Sequence, residues 1–234
     1  MMAEGRLGPV ERIVCLANSR KVLGRCIAGK RPHDGSWCRP ISDRPGHELS
    51  EFDRRYDDGR TAGVLDIIEI PCLEPRPHEH QSENVLIDNR YFWTWHGCAT
   101  WSEVCELVDH GADLWANGFS TVYNRNDRVP AALLSSASGS LRLIELDEVI
   151  LHTGAKAPEY GNMKRVVRVQ FEYQGDEYRM NLSDPVAERH FLESGDGKYS
   201  LKSVIACISL AELHTDDYAY KVMASIIRHE RSYS

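Results

Sequence analysis

The stretch Arg165-Val166-Val167-Arg168-Val169-Gln170-Phe171-Glu172-Tyr173, followed after Gln174-Gly175 by Asp176-Glu177-Tyr178-Arg179-Met180-Asn181-Leu182, decides the fold class. Val167, Val169, Phe171 and Tyr173 alternate with Arg168, Gln170 and Glu172. Tyr178, Met180 and Leu182 alternate with Glu177, Arg179 and Asn181. A period of two puts one set on a buried face and the other in solvent, which describes strands and excludes helices. Gln174-Gly175 joins the two runs as a hairpin turn.

Strand patterning extends outward from this hairpin. Downstream, Ser203–Leu210 and Tyr218–Ile227 are apolar runs separated by the polar turn His214-Thr215-Asp216-Asp217. Val222 and Ile208 are expected inside, and Lys221 on the exposed face beside a core-packed Tyr218 and Tyr220. Upstream, four short runs are bounded by glycine, proline or asparagine: Glu11–Ala17, Val22–Ala28, Ser36–Ile41 and Val64–Ile70. Short strands so bounded describe small barrels or sandwiches. Helices are few. Thr100 with Glu103 three residues on is a capping box, and Trp101, Val104, Cys105 and Val108 form one apolar stripe, so 101–110 reads as helix. Asp184-Pro185 opens a second helix, to about Leu192. Glu48–Tyr56 reads as a short polar helix or an ordered loop. Asn124–Ser140, rich in serine and containing Pro130 and Gly139, has a linker composition. The expected organisation is a β-rich barrel over 10–98, a helical connector and linker over 99–138, and a second barrel over 139–230.

Composition bounds the function classes. Of 234 residues 42% are hydrophobic and 27% charged, enough apolar mass for a core. No apolar run approaches the roughly 20 residues of a membrane span, and Met1 to Val10 lacks the pattern of a secretory signal. The expected compartment is the cytosol. The seven cysteines form no CxxC pair, which argues against zinc ribbons and dithiol redox sites and for buried, reduced thiols. Net charge is −7, but its distribution is uneven. Arg12 to Arg44 carries eight basic residues against Asp34 and Asp43, whereas Thr61 to Ala155 carries 5 basic against 14 acidic. The first segment is the candidate basic surface; the acidic middle is a candidate surface for a protein partner.

Ile13-Val14-Cys15-Leu16-Ala17-Asn18-Ser19-Arg20-Lys21, Gly24–Gly29, Trp37-Cys38-Arg39-Pro40-Ile41-Ser42, Pro77–Asn84, Asp184-Pro185, Cys207–Leu210 and Tyr218–Ala224 together resemble the dual-OB (DuOB) domain family. The resemblance covers nearly the whole chain. It implies a bacterial protein of two OB folds with a nucleic-acid role, mainly β with small helices, two Greek-key barrels joined by a helix and linker. It implies no catalytic residue.

An OB fold holds oligonucleotides on a sheet face and adjoining loops, with basic side chains along the backbone and aromatic faces under the bases. The segment 18–44 offers Asn18, Ser19, Arg20, Lys21, Arg25, Trp37, Arg39 and Arg44 for this. The expected partner is single-stranded DNA or RNA. The competing reading places Asn18-Ser19 in a turn and Trp37 in the core. Pro77-His78-Glu79-His80 is the sharpest chemical feature. Two histidines at i and i+2 share a face of an extended segment, but a metal site needs further ligands, and no spacing selects His96, His110 or Glu83. His78, His80 and Asn84 are the candidates if the protein is an enzyme acting on a nucleotide or nucleic acid; the plainer reading, and the preferred one, is an ordered loop whose histidines bond to backbone carbonyls. No metal or cofactor is expected. Walker-type, GxGxxG, HExxH and GxSxG motifs are all absent.

Overall fold

The computed structural model describes residues 8–21 and 23–229, except for the side chain of Tyr160. Most of the N-terminal segment read for a signal, and Val22 at the start of the second predicted strand, lie outside the described residues. The chain divides into two compact units, 1–103 and 104–234.

The first unit contains β1 (Val10–Arg20), β2 (Arg25–Lys30), β3 (Trp37–Ile41), β4 (Asp66–Pro75), β5 (Asn84–Ile87) and β6 (Thr94–Cys98). β1 pairs antiparallel with β2 and β2 with β3; β3 pairs parallel with β5; β5 returns to β4, and β4 closes on β1. This five-strand circuit is the OB arrangement, with β6 added beyond β4. β1 serves two neighbours. Val10–Val14 pairs with β4 and Val14–Arg20 with β2, with a bulge between Cys15 and Ala17 where the strand bends. Ile13, Cys15, Ile27, Cys38, Ile68, Ile70 and Cys72 fill the interior, with Tyr56 and Trp93 against them. Pro71, read as a strand end, lies inside β4 opposite Val10.

The second unit repeats the circuit with β8 (Leu141–Ala157), β9 (Asn162–Tyr173), β10 (Asp176–Leu182), β11 (Gly197–Leu213) and β12 (Tyr218–Ile227). β8–β9, β9–β10, β8–β11 and β11–β12 are antiparallel, and a short parallel pairing of β10 with β12 joins the ends. Val167, Val169, Phe171, Met180 and Ile208 are all in its core. α2 (Pro185–Glu193) follows the third strand of the circuit. Asp184 Oδ1 accepts from the backbone N–H groups of Val186 and Ala187 at 2.9 and 3.2 Å, the cap that Asp-Pro announces.

Four expectations need correction. α1 (Trp101–Glu106) is shorter than the predicted helix, although its capping box forms: Thr100 N–H donates to Glu103 Oε2 at 2.7 Å. The linker-like stretch supplies β7 (Arg128–Pro130), paired with β12, while Leu114, Trp115 and Val129 join the second core. Its polar groups find partners in the fold: Asn126 Nδ2 donates to the Glu177 carbonyl at 3.0 Å, and the Ser138 carbonyl accepts from Arg142 at 3.1 Å. β12 faces opposite to expectation: Ala219, Lys221 and Met223 point inward, and Val222, Tyr218 and Tyr220 are half-buried. Of the cysteines, Cys15, Cys38, Cys72 and Cys207 are buried, but Cys98 is exposed. Burial pushes the Cys72 thiol up to about 12.

Candidate nucleic-acid interface

Between β1 and β2, Lys21 N–H donates to the Gly24 carbonyl at 3.1 Å. Arg25 then exchanges two backbone hydrogen bonds of 2.9 Å with Leu49, which pulls the loop after β3 against the start of β2. Gly24 permits this approach, because a Cβ there would stand 2.4 Å from the Leu49 carbonyl oxygen. The result is a groove of about 600 Å³ whose lining includes Arg20, Lys21 and Arg25 from the β1–β2 segment and Ser50, Glu51 and Phe52 from the loop after β3. Glu51 is the acidic member, and its carboxylate pairs with Arg54.

The Phe52 wall is held from behind. Asp53, buried, accepts from Ser50 N–H and Oγ, both at 2.7 Å, and from both terminal nitrogens of Arg44 at 2.5 and 3.0 Å. Burial alone would raise the Asp53 carboxyl; the Arg44 pair and the Ser50 bonds outweigh it and hold the group below its usual range. Phe52 remains 58% exposed. The Arg55 guanidinium is 4.5 Å from the Phe52 ring centre and 4.8 Å from that of Phe92, which is 46% exposed. A third exposed aromatic, Trp95, carries the Arg60 guanidinium at 4.6 Å. Its indole N–H donates to Asp66 at 3.1 Å, and Asp66 also accepts the Tyr56 hydroxyl at 2.7 Å. Exposed rings fixed by charged neighbours are stacking surfaces of low conformational cost.

The eight sequence candidates separate. Arg20, Lys21 and Arg25 line the groove. Arg44 braces the loop behind it. Asn18 donates to the Ala62 carbonyl at 2.8 Å, and Ser19 is 6% exposed, so both serve the fold. Arg39 is inside, paired with Glu83 at 3.3 Å, and reaches no surface phosphate from there. Trp37 is half-buried beside Lys30, whose ammonium is 5.2 Å from its ring, and does not line the groove. Phe52, Arg55, Phe92, Arg60 and Trp95 were not among the candidates. The interleaving of Phe52 and Tyr56 with Arg54 and Arg55 was the available signal for part of this set.

The histidine segment is an ordered β4–β5 loop. His78 and Gln81 exchange backbone hydrogen bonds at 2.9 and 3.2 Å across Glu79, which has a positive φ of 51°. His78 meets the edge of His47 at 5.3 Å. His80 is buried, and buried Asn84 donates to Gln81 Oε1 at 3.3 Å. Among the described residues no three metal-binding side chains converge.

The second barrel also has a groove of about 600 Å³, but Glu145, Asp147, Glu148, Glu172 and Glu177 contribute to its lining. No helix among the described residues is long and apolar enough to cross a membrane.

Comparison with known proteins agrees with this architecture. No curated protein and no solved structure matches the chain significantly. The model of the dual OB-containing domain matches residues 11–226. With both halves following the OB strand circuit, the chain belongs to the dual OB-containing domain family.

Proposed function

We propose that the first barrel binds single-stranded nucleic acid in the groove lined by its β1–β2 connection and the loop carrying Phe52. The observation that carries this reading is that Arg20, Lys21 and Arg25 line one groove together with an exposed phenyl ring, that of Phe52. Phosphates lie against the three cations, and bases stack on Phe52 and Phe92. Family membership supports the reading, because OB folds often bind nucleic acids. Fluorescence anisotropy with short labelled strands tests it. Binding at low salt, lost in Arg20→Ala/Arg25→Ala, is expected. No binding to single-stranded DNA or RNA overturns it.

A second reading concerns the acidic groove of the second barrel. Its five carboxylates repel phosphate and favour a basic protein segment. Titration with a lysine-rich peptide checks this; an unchanged calorimetric signal removes it.

A further inference from the structure

Next to its acidic groove, on the same outer face of the sheet, the second barrel carries a partly buried basic cluster on β8, β9, β10 and β11. Its alternation places Arg168 and Gln170 of β9 outward beside the buried Val167, Val169 and Phe171. The register aligns a row: Lys198 of β11 faces His152 of β8, His152 faces Arg168, and Arg168 faces Asn181 of β10. Arg179 stands in the next row opposite Gln170, diagonal to Arg168. Arg168 and Arg179, diagonal neighbours on one face, are like charges within reach of each other, and a bound anion would relieve their repulsion.

Of the nearby carboxylates, Glu172 is exposed in the row beyond Arg179, opposite Glu177, and the others are engaged elsewhere. Glu177 accepts from Gln170 Nε2 at 2.9 Å and pairs with Arg125 at 3.4 Å. Glu159 accepts the Tyr123 hydroxyl, Glu148 accepts from Ser200 Oγ at 2.5 Å, and Asp196 pairs with Arg165 at 2.7 Å. Among the described residues no carboxylate forms a salt bridge with Arg168 or Arg179. Arg168 is 8% exposed, lies 5.0 Å from the Tyr123 ring centre and donates through one nitrogen to the Lys156 carbonyl at 2.6 Å. The Nε–H groups of Arg168 and Arg179 are buried without a hydrogen-bond partner. An unneutralised buried guanidinium is costly. Burial and then the Arg179 charge hold both Arg168 and His152 below their ordinary pKa values.

We propose that His152, Arg168 and Arg179 form a phosphate-binding site on the second barrel, for free phosphate or for the diester of a nucleic-acid backbone. Guanidinium N–H donors match phosphate oxygens in a fixed fork, and a protonated imidazole adds a donor. His152 Nε2 lies 3.0 Å from Gln170 Oε1, which orients the ring. The site is independent of the first-barrel groove.

The test follows the His152 imidazole of the full chain by heteronuclear NMR, assigned by its loss in His152→Gln. Inorganic phosphate and the uncapped dinucleotide thymidylyl-thymidine are titrated separately at constant ionic strength against chloride. A saturable shift of His152 towards the protonated form is expected with at least one of them, and which one identifies the source. Arg179→Gln should weaken that binding about tenfold or more; Arg179 is half-buried, so this variant avoids the folding risk of changing Arg168. Arg20→Ala/Arg25→Ala should leave the response intact. No saturable shift with either probe, a shift undiminished in Arg179→Gln, or one abolished by the first-barrel variant overturns the proposal.

Discussion

Lys221 donates its ammonium protons to Asn117 Oδ1 and the Ala116 carbonyl, each at 2.9 Å, from a position only 1% exposed inside the second unit. The Tyr178 ring lies 5.3 Å away. Two oxygen acceptors and a ring face compensate incompletely for lost hydration, and burial lowers the Lys221 pKa to about 8.

A pH dependence of stability follows. Between about 8 and 10.5 the unfolded lysine keeps its proton while the folded one releases it. The unfolded state binds more protons there, so the Lys221 contribution to stability rises with pH. Below about 8 both forms are charged, and the full burial cost applies. The gap corresponds to roughly 3 kcal/mol. Thiols that ionise on unfolding oppose this trend, so the measurement is the difference between wild type and Lys221→Met in urea unfolding. Wild type should gain on the variant from pH 8 to 10; a constant difference refutes the assignment.

Removing one partner of the Arg39–Glu83 pair should damage the first barrel. The two side chains are 4% and 5% exposed. Glu83→Gln should cost about 3–5 kcal/mol by leaving a buried guanidinium uncompensated, whereas Arg39→Met/Glu83→Leu should recover much of the loss. Equal destabilisation in the single and double variants would show that the charge is not the cause.

Salt should separate the two parts of the groove. Three phosphate contacts on a single strand give a slope near −2 in log K against log salt, from roughly −0.7 per contact. Arg20→Ala/Arg25→Ala should flatten it by about 1.4 on the same relation. Phe52→Ala should leave the slope and weaken binding at every salt concentration, by ~1–3 kcal/mol for a lost stack. A Phe52→Ala variant that binds like wild type would remove the ring from the interface.

Phe171 stacks on Tyr178 with ring centres 5.2 Å apart in the second core. Phe171→Ala should cost ~3–5 kcal/mol in urea unfolding. A loss below about 1 kcal/mol would contradict its place in the core.

What was legible in the residues alone was local or periodic. The alternation from Val167 to Leu182 determined the strand faces, and Phe171 and Met180 are buried accordingly. The pairs Asp184-Pro185 and Thr100 with Glu103 determined two helix starts, because a cap acts within one turn. The family resemblance supplied the two barrels. No strand was read at β8, although it pairs with both β9 and β11. Tertiary structure alone decided the rest, since those outcomes depend on partners distant in the chain. Arg20 and Arg39 belong to one basic run, yet one lines a groove and the other meets Glu83 across a parallel strand pair. Lys221 turns inward because Asn117, 104 residues away, brings it an acceptor. Phe52 and Phe92 become one surface because Arg55 sits against both rings. A side chain's charge or apolarity specifies what it needs, and only the folded chain determines which distant group meets that need.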